Sequence, residues 1–128
     1  GQDVYVSDNQ TGRLFVIDTA TQALVTSVKV GERPALIARS PDGKTLYVAN
    51  GVSHSVSIVD ISQPAAPVVT ASVTVSGYPH GLAVTPDGRY VVVAQTLGKT
   101  LSVIDTQTRS VVAVVTGMQY PNDVLIPA

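Results

Sequence analysis

The sequence predicts an all-β fold: a β-propeller of three four-stranded antiparallel blades, with one blade divided between the two termini. Three observations carry this. A sequence unit recurs every 42 to 45 residues, several apolar runs are valine-rich and almost unbroken, and no useful length shows helical periodicity or capping signals. A recurrence of that length falls in the range of a propeller blade, where each repeat supplies four strands.

The unit is seen by aligning ALIARSPDGKTLYVANGVSHSVSIVD, which starts at Ala35, with HGLAVTPDGRYVVVAQTLGKTLSVID, which starts at His80. Their Pro41-Asp42-Gly43 and Pro86-Asp87-Gly88 triplets lie 45 residues apart. A partial copy, VYVSDNQTGRLFVID, ends at Asp18, 42 residues before Asp60. Pro34, Pro79 and Pro121 mark the same point in each unit.

Each element of the unit has a local reason. A first strand (36–40) runs into the Pro-Asp-Gly turn, where proline fixes φ and glycine accepts a positive φ. A second strand follows at 46–50 in one copy and 90–95 in the other. A polar loop leads to a third strand (56–60 or 101–105), and a short linker to a fourth (68–75 or 110–116). Tyr90-Val91-Val92-Val93-Ala94 and Val111-Val112-Ala113-Val114-Val115 lack the alternation of a sheet with one wet face. Without helices, other sheets must cover both faces, as in blades stacked around an axis.

The chain opens inside a unit, with second, third and fourth strands at 3–8, 14–18 and 24–30. The single propeller segment 1–128 therefore divides at 1–34, 35–79, 80–121 and 122–128. The last piece, carrying Asn122-Asp123-Val124-Leu125-Ile126, reads as a first strand that completes a blade in trans or in a longer ring. Twelve strands make three blades, below the four to eight of closed propellers. A two-fold dimer would close six blades by pairing Asn122–Ile126 of each copy with Asp3–Asp8 of the other. A segment of a longer propeller and a nine-bladed trimer are the other solutions.

Composition limits the function classes. Hydrophobic residues make up 45% and charged residues 13%, which excludes a disordered chain. A net charge of −1 offers no field for nucleic acid, and no apolar run approaches the ~20 residues that span a bilayer. Gly1-Gln2-Asp3 lacks the regions of a signal peptide, and Gly1 has the look of a processed end. With no cysteine there are neither disulfides nor thiolate metal ligands. Five Tyr, one Phe and no Trp leave the core to Val, Ile, Leu and Ala.

The strings Leu46-Tyr47-Val48-Ala49-Asn50, Ser55-Val56-Ser57-Ile58-Val59-Asp60 and Pro41-Asp42-Gly43 resemble the YVTN-type propeller repeats over essentially the whole chain. Such repeats occur in bacterial and archaeal surface and periplasmic proteins, related to lactonase and nitrite-reductase propellers. The resemblance implies a periplasmic or cell-surface location. The shared residues are turn and core positions, so they specify fold more than activity.

In a propeller, loops between second and third strands share a face with the blade-entry loops. That face should gather 9–12, 50–55 and 96–99, together with entry loops 31–34, 76–80 and 117–122. The entry loops, nearest the axis, supply the candidate ligand-binding residues Glu32, Arg33, Tyr78, His80, Gln119, Tyr120 and Asn122. His80 could serve as a general base, a proton relay or a metal ligand, or simply as part of the Pro-His-Gly entry to a strand. Arg33 offers a bidentate fork for carboxylate or phosphate, or pairs with neighbouring loops. Tyr78 and Tyr120 could stack on a flat ligand or pack on the adjacent proline. His54 reads as a solvated loop histidine.

Asp18, Asp60 and Asp105, one per unit, read as turn residues rather than a Ca²⁺ set, as do Asp42 and Asp87. Asn9-Gln10-Thr11 matches a glycosylation sequon. No catalytic serine elbow, phosphate loop, zinc motif or dinucleotide fingerprint stands out, so neither catalytic residues, metal nor cofactor are expected. The expected function is a non-catalytic binding or interaction module with a protein or small-molecule partner. The alternatives are a lactonase-like hydrolase or haem-associated reductase with its site at the channel mouth, and a purely structural repeat unit.

Overall fold

The computed structural model describes residues 2–127. Its strands are β1 (Asp3–Asp8), β2 (Arg13–Asp18), β3 (Ala23–Lys29), β4 (Pro34–Arg39), β5 (Thr45–Asn50), β6 (Ser55–Asp60), β7 (Val68–Thr74), β8 (Pro79–Val84), β9 (Tyr90–Gln95), β10 (Thr100–Asp105) and β11 (Ser110–Val115). They form three antiparallel sheets in the orders β1-β2-β3, β4-β5-β6-β7 and β8-β9-β10-β11. Each sheet is one sequence unit, so the all-β propeller blades are present in the expected order.

The repeat extends to backbone irregularities. The register between third and fourth strands shifts at Val16/Ile17, Ile58/Val59 and Val103/Ile104, the same position in each blade. Such a bulge adds twist and keeps successive blades stackable. The strand-ending aspartates act as turn residues: Asp18, Asp60 and Asp105 accept the backbone N–H two residues on, each at 2.8 Å. Asp42 and Asp87 likewise accept from Lys44 and Arg89 N–H inside the Pro-Asp-Gly turns.

Two apolar layers lie between blades. Leu14, Leu46, Val48, Val59 and Ile61 join the first blade to the second. Tyr47, Ala49, Val56, Ile58, Leu82, Val91, Val93 and Ile104 join the second to the third. Full burial of a valine or leucine is worth ~1.5–3 kcal/mol, so these layers dominate the stability of the stack. The middle blade is covered on both sides, so β5 and β6 are buried almost throughout.

One expected strand is absent from the ladders. Asn122-Asp123-Val124-Leu125-Ile126 is extended chain without a sheet partner, so eleven strands form among the described residues where twelve were expected. A strand needs a ladder, and β1, the one second strand lacking a first strand, lies in the blade at the opposite end of the stack. The segment instead follows β8. A Cβ at Gly81 would strike Asp123 and the Asn122 carbonyl, so this glycine allows the tail to lie directly on the strand.

Candidate functional site

The blade-entry loops and the loops between second and third strands are tied together on one face. Gly51 N–H donates to the Arg33 carbonyl at 2.9 Å, and Thr96 N–H to the Tyr78 carbonyl at 3.1 Å. Arg33 and Tyr78 precede the proline in successive units and share a left-handed backbone, with φ of 52° and 51°. That conformation turns the chain into the first strand of each blade and fixes where these two side chains start.

Arg33, Tyr78 and His80 meet in an open groove of about 560 Å³, whose other wall is Val6, Ser7, Asp8 and Asn9 from the end of β1. A second groove of about 290 Å³ joins Glu32 and Arg33 to Asn9, Gln10, Gly12 and Lys29. Arg33 and Asn9 border both, so four of the seven expected site residues form one continuous surface. The remaining three follow the third blade. Asn122 offers its carbonyl to His80, Tyr120 lies 5.9 Å from the Lys99 ammonium, and Gln119 is exposed.

Arg33 has no ion pair among the described residues, where the single pair is Arg89–Asp105 at 3.0 Å. The sequence reading that Arg33 pairs with neighbouring loops is therefore not what the fold does. Asp8, on the same groove, accepts from Gln10 N–H and the Thr11 hydroxyl. Those two bonds hold the Asp8 carboxyl below the usual carboxylate range.

His80 is oriented. Its Nδ1 lies 3.1 Å from the Asn122 carbonyl oxygen. A carbonyl only accepts, so Nδ1 carries the proton, and the neutral ring keeps an unprotonated Nε2. His54 shows the opposite pattern: its Nδ1 accepts the Tyr78 N–H at 3.1 Å. His54 is exposed as expected, yet it is tied to a groove residue. The Tyr78 ring also rests on Gly51, where an added Cβ would sit 2.6 Å from it.

Sequence reasoning missed the wall supplied by Ser7 and Asp8. A signal was present: Asp8, Asn50 and Gln95 end the second strand of each unit, so a polar side chain recurs beside every entry loop.

Residues 3–126 match the family described as lactonase, 7-bladed β-propeller. The chain belongs to this lactonase propeller family. No curated protein sequence matches it. Among solved structures, hydrazine synthase of Kuenenia stuttgartiensis superposes with a TM-score of 0.85 at 31% identity, covering 96% of this chain and 35% of that one. A 6-phosphogluconolactonase-like protein of Bacteroides fragilis gives 0.80 at 20% identity, covering 96% and 38%. The dihydro-haem d1 dehydrogenase NirN gives 0.71 at 23% identity, covering 91% and 25%. The last two likenesses are of fold alone. This lactonase-family chain thus spans about a third of the solved chains that it resembles.

Proposed function

We propose that this chain supplies three consecutive blades to a larger lactonase-family ring, and that the Arg33–Tyr78–His80 groove binds and opens a lactone. The observation that carries the reading is the orientation of His80. Its Nδ1–H···O=C bond to Asn122 leaves Nε2 free to take a proton, beside an arginine that forms no ion pair among the described residues. In this reading water attacks the lactone carbonyl and gives its proton to Nε2. The tetrahedral oxyanion faces the Arg33 guanidinium. The ring C–O bond then breaks, and the leaving alkoxide recovers the proton from the imidazolium, giving a hydroxy acid.

The seven blades of the family description support a longer ring over a six-bladed dimer, since three blades do not divide seven. The dimer sealed through Asp3–Asp8 and Asn122–Ile126 is the competing assembly.

The test uses the assembled ring with a sugar-acid lactone and its open carboxylate. Arg33→Ala should weaken carboxylate binding about ten- to hundredfold, the worth of a charged hydrogen-bonded contact. His80→Gln should lower kcat about 10²–10⁴-fold while leaving binding nearly unchanged. If His80→Gln leaves turnover intact, or if no lactone is turned over at all, the groove is a binding surface without catalysis. If Arg33→Ala also leaves binding unchanged, the groove is not the site.

A further inference from the structure

We infer that His54 is a positioning residue that holds the groove residue Tyr78 through a bond lost when the imidazole is protonated. The first support is topological. His54 belongs to the β5–β6 loop of the second blade, whereas Tyr78 enters the third, so their bond spans a blade boundary. The Tyr78 backbone is suspended between two loops, its N–H donating to His54 Nδ1 and its carbonyl accepting from Thr96 N–H.

The repeat supplies the second support. His54 occupies the left-handed position of its loop (φ 51°), filled by Gly12 (φ 72°) in the first blade and Lys99 (φ 57°) in the third. Glycine has no side chain, and the Lys99 ammonium lies 5.9 Å from the ring of Tyr120, the equivalent of Tyr78. Only in the middle loop does this position carry an acceptor for the next entry loop. That acceptor is the one kind of side chain that ordinarily gains a proton between about pH 5 and 8.

Protonated Nδ1 cannot accept, and would oppose one N–H with another. Tyr78 would then lose one of its two backbone hydrogen bonds to neighbouring loops. The charged and titratable groups on the elements around His54 are Glu32 and Arg33 on the preceding entry loop, Tyr78 and His80 on the following one, and Lys99 beyond it. None of these side chains ion-pairs or hydrogen-bonds with its imidazole among the described residues. The switch is therefore the bond to Tyr78 itself.

The inference concerns the same groove but is tested without a ligand, so it stands or falls apart from lactone chemistry. The measurement is the exchange protection of the Tyr78 amide, corrected for intrinsic rate, from about pH 8 to about pH 5. In the unaltered protein, protection should fall about tenfold or more on acidification. His54→Asn keeps an acceptor at nearly the same place and suits a positive φ, so its protection should stay high and independent of pH. His54→Leu should be unprotected throughout, and His80→Gln should keep the pH dependence. A flat profile in the unaltered protein, or the same fall in His54→Asn, would overturn the inference. Should His54→Leu fail to fold, the unaltered protein and His54→Asn decide it.

Discussion

At the scale of single residues, the groove depends on side chains whose places are set by contacts from neighbouring units. Gly51 illustrates this. Its backbone needs no positive φ, so the requirement for glycine there is steric and comes from the Tyr78 ring of the next blade. Gly51→Leu should destabilise the protein by about 1–3 kcal/mol, the usual cost of forcing atoms into a filled space. A urea titration monitored by tyrosine fluorescence checks this, and an unchanged midpoint would mean that Tyr78 swings aside freely. The sequence showed both residues but gave no reason to connect them, because 27 positions separate them along the chain.

At the scale of the element, the turns were the most legible part. Each Pro-Asp-Gly and each strand-ending aspartate satisfies its own backbone two residues on, an interaction that needs no distant partner. These bonds have a pH consequence. Asp42 and Asp87 are held below the ordinary carboxylate range first by the Ser40 and Thr85 hydroxyls, and Asp60 by Ser62. Asp105 is lowered first by its hydrogen bonds with Arg89. The unfolded chain takes up protons at higher pH than the folded one, so this stabilisation is present above the unfolded value of ~3.9 and is lost as pH falls through the lower folded values. Thermal melts should hold steady above about pH 5 and drop below about pH 4. Asp87→Asn and Asp105→Asn together should flatten that drop, and an unaltered acid limb would remove these turns as its cause.

The strands were legible to within a residue or two for the same reason: the repeat displays each one more than once. The tail was the exception. Asn122-Asp123-Val124-Leu125-Ile126 has a strand's composition and place in the unit, but strand formation needs the second strand of its own blade alongside. Without that partner its Leu125 is left 91% exposed.

At the scale of the whole molecule, the two end blades each carry an apolar face with nothing against it in this chain. On the first blade, the registers Val4↔Ile17, Val6↔Phe15 and Ile17↔Leu24 put these five side chains on the side away from the second blade. Val4 and Val6 correspond in the repeat to Leu46 and Val48, which the first blade buries. On the third blade, Val92↔Val103 and Leu101↔Val115 form the opposite kind of face, matching the one the middle blade turns toward its successor. The faces are complementary by repeat, so the chain is suited to continue in both directions. Val6→Lys should block association at the first face while changing the stability of the isolated segment by less than about 0.5 kcal/mol. Light scattering checks this, and an assembly of unaltered mass would mean that the face is not used.

The sequence by itself determined the propeller repeat, the strands, the turns and the apolar layers. All of these follow from the recurrence of the unit, from its almost unbroken apolar runs and from turn hydrogen bonds that close within a few residues. Only the tertiary structure decided that Asp8, Arg33, Tyr78 and His80 share a groove, that His54 holds Tyr78 while His80 leans on Asn122, and that the tail lacks a ladder. Those facts join residues of different blades. Their distances depend on how the blades stack, which no local pattern encodes.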